Sequence, residues 1–243
     1  MKTLIIVPTY NECENIEPLL KEILAIVPLG VEVLVVDDGS PDGTGALVDS
    51  FSQQEARVHI LHRTEKAGLG RAYIAGFRWA FEHGFDRVVE MDADFSHSPR
   101  YLPTMLGLLN TADVVIGSRY VHGGGTVNWG WVRKLISRGG SWYARTLLGM
   151  DVRDCTGGFN GWHRTLLERM DLDSLRSEGY AFQIELKYRA SLLGARIKEF
   201  PIVFEDRKVG HSKMSRRIVF EAMLRVWQFK WSPKPTSRTN PSH

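Results

Sequence analysis

Two carboxylates separated by a single residue, Asp92 and Asp94, stand in the run Met91-Asp92-Ala93-Asp94-Phe95-Ser96-His97-Ser98-Pro99. The apolar pair Val88-Val89 precedes them, and a polar, proline-punctuated segment follows. That order predicts a strand over Arg87–Met91 that carries both acids into a loop at its C-terminal end. In an open α/β sheet, ligands bind outside the C-terminal ends of the strands. Carboxylate oxygens at this spacing suit a hard cation, Mg²⁺ or Mn²⁺, and Mg²⁺ is held by one or two carboxylates together with substrate phosphate oxygens. The chemistry implied is a metal–diphosphate site with Asp92 and Asp94 as its metal ligands. Taken alone, Asp-Ala-Asp is more often a surface turn, so the rest of the chain has to decide.

Two further polar loops follow strand candidates. Thr9–Glu12 comes after the apolar run Leu4–Val7, and Asp37–Asp42 after Val33–Val36. In a parallel sheet all three loops share one edge. Tyr10 offers a ring to stack on a base. Glu12 and Asp38 offer acceptors to a base N–H or to ribose hydroxyls. With the acid pair they describe a nucleotide-diphosphate pocket. Basic residues add a second clue. Arg119 follows a strand candidate, Arg133 and Ser137 share a helix face, and Arg207 and Lys213 fall in the polar loop Asp206–Ser215. Cations beside a diphosphate neutralise the leaving group and position an anionic acceptor. For any one arginine alone, a solvated side chain is the simpler account.

Other chemistries fail on pattern. Gly68-Leu69-Gly70 opens a helix, but Tyr73 stands where a dinucleotide fingerprint needs its third glycine, and the fragment follows the third strand. Close backbone approach beside the pocket is the expected role of these two glycines. There is no P-loop, no His-Glu-x-x-His and no Gly-x-Ser-x-Gly, and Cys155 has no evident histidine partner. His97 reads as a loop hydrogen bonder rather than a metal ligand.

The elements that must position these residues follow from periodicity. Strands are expected at Leu4–Val7, Val33–Val36, Val58–Leu61, Arg87–Met91 and Val114–Gly117, with helices between them, the first capped by Asn15 with Pro18 in its first turn. That alternation is a doubly wound, mostly parallel α/β sheet in a single domain. Farther on, Gly123–Gly125 reads as a flexible loop, Trp131–Leu148 as a helix, Asp154–Gly161 as a glycine-rich loop, Tyr180–Leu193 as a helix and Ile197–Phe204 as edge strands. A final amphipathic helix carries Trp227 and Trp231 and suits either a membrane interface or docking on the core. The tail 232–243 reads as disordered. A net charge of +3 on 243 residues argues against a dedicated nucleic-acid binder. The two cysteines are far apart and fit a reducing compartment. The N-terminal apolar run is too short for a signal peptide, and no stretch is long enough to span a bilayer.

Pro8-Thr9-Tyr10-Asn11-Glu12, Val36-Asp37-Asp38-Gly39-Ser40-Pro41-Asp42-Gly43-Thr44, Met91–His97, Gly117-Ser118-Arg119-Tyr120 and the Arg133–Arg138 segment together resemble the polyprenol (dolichol)-phosphate mannosyltransferases of glycosyltransferase family 2. The resemblance runs from Met1 to about Trp231 and implies a GT-A fold. It implies transfer of mannose from GDP-mannose to a polyprenyl phosphate with inversion, assisted by Mg²⁺ or Mn²⁺. By position, Pro8, Tyr10, Glu12, Val36 and Asp38 resemble the guanosine contacts, and Asp92, Ala93 and Asp94 the donor and metal motif. Ser96 stands where some members have a metal-supporting Gln. Arg119, Arg207 and Lys213 resemble the diphosphate and sugar contacts, and Arg133 and Ser137 the contacts to the acceptor's phosphate. Asp92, Asp94 and Arg119 are then the catalytic candidates. Many microbial members carry C-terminal transmembrane helices. Without them, this chain is expected to be cytoplasmic and peripheral on the membrane, through its last helix or a separate anchoring protein. The alternatives are the same transfer from another donor, such as UDP-glucose, and a non-catalytic scaffold of the same family.

Overall fold

The computed structural model describes residues 1–64, 67–175, 177–205 and 216–231, with only the backbone of 216–222. The first half follows the expected alternation: β1 (Thr3–Thr9), α1 (Cys13–Ile26), β2 (Val31–Asp37), α2 (Thr44–Ser52), β3 (Val58–His62), α3 (Leu69–Glu82), β4 (Arg87–Glu90), α4 (Leu102–Leu108) and β5 (Val114–Ser118). The second half adds β6 (Gly125–Val127), α5 (Trp131–Leu148), β7 (Asn160–His163), α6 (Arg164–Arg169), α7 (Gly179–Leu192), β8 (Ile197–Pro201), β9 (Val203–Glu205) and α8 (Arg216–Trp231). The main sheet runs β3-β2-β1-β4-β7-β5-β8, and β6 and β9 form a small parallel pair beside it.

The continuous apolar runs of β1 and β2 reflect burial on both faces. Leu4 and Ile6 point into one layer with Tyr73 and Phe77 of α3. Ile5 and Val7 point into the other with Ile16, Leu19 and Ile23 of α1. A Cβ at Gly76 would fall 2.7 Å from Ile6, so the absence of a side chain there is what lets α3 lie directly on β1.

Three expectations need correction. Asn15 does not cap α1. The helix begins at Cys13, and its first N–H groups are satisfied from the neighbouring loop: Glu12 N–H donates to Thr44 Oγ1 (3.0 Å) and Cys13 N–H to Asp42 Oδ2 (3.1 Å). Pro18 therefore lies inside α1 rather than in its first turn, on the exposed side, where a missing backbone bond costs least. The Gly123–Gly125 segment is not simply a loop, because Gly125 opens β6 and pairs with Val203 of β9. A Cβ at Gly124 would lie 2.5 Å from the Ser118 carbonyl oxygen, so glycine permits that tight return. Finally, the glycine-rich loop ends in a strand that the sequence reading lacks. β7 is inserted antiparallel between β4 and β5.

β7 is held by polar contacts instead of apolar alternation. Glu90 of β4 is fully buried and accepts from Asn160 Nδ2 (2.8 Å), Trp162 Nε1 (2.9 Å) and Gln183 Nε2 (3.2 Å). Burial pushes the Glu90 carboxyl up to about 7, against the pull of these donors and of the Lys187 charge. A folded-state pKa above the unfolded value means that the native state holds the extra proton. Its contribution is complete below about 4.5 and fades as pH rises through about 7. The stability of the wild type relative to Glu90→Gln should therefore fall by on the order of 3 kcal/mol between pH about 4.5 and about 7.5, read by urea denaturation. A difference that does not change with pH would contradict this assignment.

Candidate active site

The loops after β2, β1 and β4 lie side by side, because these strands are neighbours in the sheet. Asp37 stitches the first two together. It accepts from Thr9 Oγ1 (2.9 Å), Ser40 N–H (3.0 Å) and Ser40 Oγ (2.5 Å), and Ser40 Oγ in turn accepts from Asn11 N–H (3.0 Å). Asn11 takes a left-handed conformation at the turn, φ +61°. Tyr10 is exposed, and Glu12 accepts from Asn15 Nδ2 (2.9 Å). Pro8 and Val36 are register partners on β1 and β2. The Val36 side chain is fully buried with Ile6 and Tyr73, so its backbone is what it presents at the edge. Asp38 is buried and accepts from Arg63 Nη1 (2.7 Å). Burial raises its carboxyl above the usual range, partly offset by the Arg63 charge.

Asp92, Ala93 and Asp94 follow β4 directly. Asp92 is part-exposed and accepts a long bond from Tyr73 Oη (3.4 Å), and its N–H donates to His97 Nδ1 (3.1 Å). His97 is thus the expected loop hydrogen bonder. Burial holds its pKa below the ordinary value, so the ring is neutral, with Nδ1 as acceptor. Asp94 is buried, with Oδ1 accepting from Ser96 N–H (3.0 Å) across a turn in which Phe95 has φ +61°. Ser96 Oγ is buried and has no hydrogen-bond partner among the described residues. Two carboxylates and an orphaned hydroxyl oxygen form a donor set that fits a hard divalent cation. Among the described residues no three His, Cys, Asp or Glu side chains are grouped so as to hold a metal ion, so a cation bound by this pair would need further ligands from substrate or water.

The cationic side is organised by Arg119. Its Nε donates to Asp154 Oδ2 (2.7 Å), one Nη to Asp154 Oδ1 (2.6 Å) and Thr156 Oγ1 (2.9 Å), and its backbone N–H to Asp154 Oδ2 (2.9 Å). Both partners are buried. Burial would raise the Asp154 carboxyl, but the Arg119 charge and hydrogen bonds prevail and hold it below the usual range. Ser137 is buried on α5, and its Oγ accepts from Tyr120 Oη (2.7 Å). The Arg133 guanidinium lies 3.9 Å over the Trp129 ring.

An aromatic bridge joins the two sides. His97 lies 5.4 Å from the Phe204 ring, Phe204 lies 5.3 Å from Trp129, and Arg119 sits 5.6 Å over Phe204 and 5.5 Å over Trp129. A continuous chain of contacts therefore runs from Asp92 through His97, Phe204 and Trp129 to Arg133. Arg207 and Lys213 lie outside the described residues. Sequence reasoning missed Asp154, Tyr120, Trp129 and Phe204 as supporting residues. Of these, Tyr120 stood in the Gly117–Tyr120 motif and Asp154 headed the glycine-rich run, while Trp129 and Phe204 gave no signal. Gly68 and Gly70 do allow close approach, but to α7 and the residue just before it: a Gly70 Cβ would fall 2.9 Å from Phe182 of α7 and a Gly68 Cβ 3.1 Å from Glu178.

A mostly parallel sheet with an acid pair at its C-terminal edge and a cationic cluster beside it defines a GT-A glycosyltransferase architecture. The chain belongs to glycosyl transferase family 2, whose profile matches residues 4–173. It is 50% identical over 226 residues, 93% of each chain, to the undecaprenyl-phosphate mannosyltransferase of Micrococcus luteus. It is 48% identical over 227 residues to the polyprenol monophosphomannose synthase of Mycolicibacterium smegmatis, covering 93% of this chain and 85% of that one. Glucosyl-3-phosphoglycerate synthase from Mycobacterium tuberculosis, solved with Mn²⁺, UDP-glucose and phosphoglyceric acid, shares the fold with a TM-score of 0.70 at 20% identity, over 96% of this chain and 80% of that one.

The His97 ring stacks at 5.2 Å on Phe159, whose own position depends on Gly117. A Cβ there would meet Phe159 at 2.6 Å and Ile202 at 3.1 Å. Gly117→Ala should destabilise the protein by about 1–3 kcal/mol, measured by chemical denaturation. Unchanged stability would show that this packing is looser than described.

Proposed function

We propose that the protein transfers mannose from GDP-mannose to the phosphate of a polyprenyl phosphate, with inversion at the anomeric carbon. The observation that carries this reading is the continuous cluster from Asp92 to Arg133, which joins the acid pair to the residues that resemble acceptor-phosphate contacts. The names of the two bacterial relatives supply the acceptor class and the sugar.

An oxygen of the lipid phosphate attacks the anomeric carbon, the bond to GDP breaks on the opposite face, and GDP leaves with the electron pair. A phosphate monoester is already largely ionised near neutral pH, so the attack needs no strong general base. The protein's work is positioning and charge stabilisation. Bound Mg²⁺ or Mn²⁺, held by Asp92 and Asp94, would neutralise the leaving diphosphate. Tyr10, Glu12, Asp38 and the backbone at Pro8 and Val36 form the guanosine side, and Ala93 stands with Asp92 and Asp94 in the donor and metal motif. Tyr120 donates to Ser137 Oγ and so leaves the Ser137 proton for an acceptor oxygen. Arg133, whose guanidinium lies over the Trp129 ring, supplies a second donor to the same phosphate. Arg119, fixed by Asp154, contributes positive charge between the two substrates, and Arg207 and Lys213 belong to the diphosphate and sugar side.

The acceptor is a membrane lipid, and no helix among the described residues is long and apolar enough to cross a membrane. Peripheral attachment fits α5 and α8, which pack together and expose Trp131, Leu135, Trp142, Leu224, Trp227 and Trp231. The two α8 tryptophans thus do not dock on the core. α5 carries Arg133, Lys134, Arg138 and Arg145 and no acidic residue, which suits an anionic leaflet on the cytoplasmic face.

With radiolabelled GDP-mannose, undecaprenyl phosphate and Mg²⁺, label should enter the organic phase, and EDTA should abolish it. Asp94→Ala should lower turnover by about 10²–10³-fold while the circular dichroism spectrum is retained. Turnover near the wild-type value in that variant, or efficient transfer from UDP-glucose but not GDP-mannose, would refute the reading.

A further inference from the structure

Tyr73 stands one turn into α3, at the position where a dinucleotide fingerprint would place its third glycine. Its side chain is fully buried, in the same apolar layer as Ile6, Val36 and Phe77. The ring packs against Phe77 of the same helix and lies parallel to Phe182 of α7, with centroids 6.3 Å apart in both pairs and an interplanar angle of 2° in the second. Gly70 makes room for that second contact, since a Cβ there would fall 2.9 Å from Phe182. Phenylalanine would fill this space equally well. What tyrosine adds is one hydroxyl group, and among the described residues its hydrogen-bond partner is Asp92 Oδ1, at 3.4 Å.

We infer that Tyr73 is a positioning residue for the cation site: its hydroxyl turns the Asp92 carboxylate into the orientation in which it binds the metal. The inference rests on the reading of Asp92 and Asp94 as metal ligands and adds the residue that aims one of them. Three observations carry it. Asp92 is held at two points, its N–H donating to His97 Nδ1 (3.1 Å) and its Oδ1 accepting from Tyr73 Oη. The first anchors the loop, and the second acts on the carboxylate itself. Next, the Asp92 side chain is 26% exposed while Tyr73 is fully buried. The hydroxyl therefore reaches the carboxylate from the core, and approach from solvent stays open to a ligand. Finally, the support is rigid, because the Tyr73 ring is packed by Phe77 and Phe182 on a helix that lies directly on β1. A partner that orients a ligating carboxylate governs metal affinity, and its loss typically costs about 10–100-fold. At 3.4 Å the bond is long for O–H···O, so it steers the carboxylate while competing weakly for its lone pairs.

Tyr73→Phe tests this, since it removes one oxygen atom and keeps the ring. The readout is Mn²⁺ binding in the presence of GDP, titrated by electron paramagnetic resonance. The expected result is a Kd for Mn²⁺ raised about tenfold or more, with Tm within about 2 °C of the wild type. Turnover should return to near the wild-type value when Mn²⁺ is raised to saturation. A hydroxyl that served only the core would move Tm and leave Mn²⁺ affinity alone. In the Asp92→Asn background the same substitution should change the Kd for Mn²⁺ by less than about twofold, because the hydroxyl acts through that carboxylate. A Kd within about twofold of the wild type in the single variant overturns the proposal, as does a tenfold loss that persists in the Asp92→Asn background. A Tyr73→Phe protein that does not fold assigns the hydroxyl to the fold and overturns it as well. Wild-type protein that binds no Mn²⁺ with GDP present refutes the underlying reading of the acid pair instead.

Discussion

The buried ion pair between Arg119 and Asp154 is the constraint on which the site depends. Two charges removed from water are tolerated only when each is paired and hydrogen-bonded, and here the pair is bidentate and further secured. Gly157 N–H donates to Asp154 Oδ1 (2.9 Å), and Glu199 holds the backbone ahead of it by accepting from the N–H groups of Arg153 (2.7 Å) and Asp154 (2.9 Å). Lys187, fully buried, donates to the carbonyls of Gly157 (2.5 Å) and Cys155 (3.3 Å). Burial depresses its pKa, partly offset by Asp154 and its neighbours. The glycine-rich loop is therefore held by several hydrogen bonds of its side chains and backbone. Cys155, within it, has its thiol pushed up to about 12 by burial and is chemically quiet.

From that pair the order extends in two directions. Toward the sheet, Asn160 donates to both Glu90 and Gln183, which fixes β7 against β4 two residues before Asp92. Toward α5, Arg119 lies against Trp129 and Phe204, the rings that also contact Arg133 and His97. One network thus sets the position of the acid pair and of Arg133 together. Transfer between two substrates needs their reacting atoms held within a few tenths of an ångström of the productive geometry, and a rigid shared support supplies this.

The first half of the fold was legible because its strands are buried on both faces and read as plain apolar runs, as in Leu4–Val7 and Val33–Val36. The three edge loops were legible for the same reason, since each follows such a run. β7 was not, because Asn160-Gly161-Trp162-His163 has no strand periodicity; its place is specified by Glu90, seventy residues earlier in sequence. The start of α1 was misread because its capping groups come from Asp42 and Thr44 rather than from within the helix. Tyr10, Asp38, Asp92, Asp94, Arg133 and Ser137 could be picked out by residue type and order. Trp129 and Phe204 could not, and Asp154 showed only as the acid heading the glycine-rich run, because all three act by holding other residues, and that role appears only when the chain is folded. Val36 shows the converse: it carries the resemblance to a donor contact, yet its side chain belongs to the core.

The most direct test of this account is the steady-state kinetics of Asp154→Asn, an isosteric change that removes the charge but keeps a side chain able to bond Arg119. If the ion pair orients both halves of the site, the folded variant should lose about 10²-fold in kcat/KM for GDP-mannose and for polyprenyl phosphate alike. A folded Asp154→Asn protein with wild-type kcat/KM for both substrates would contradict the claim that this pair organises the site.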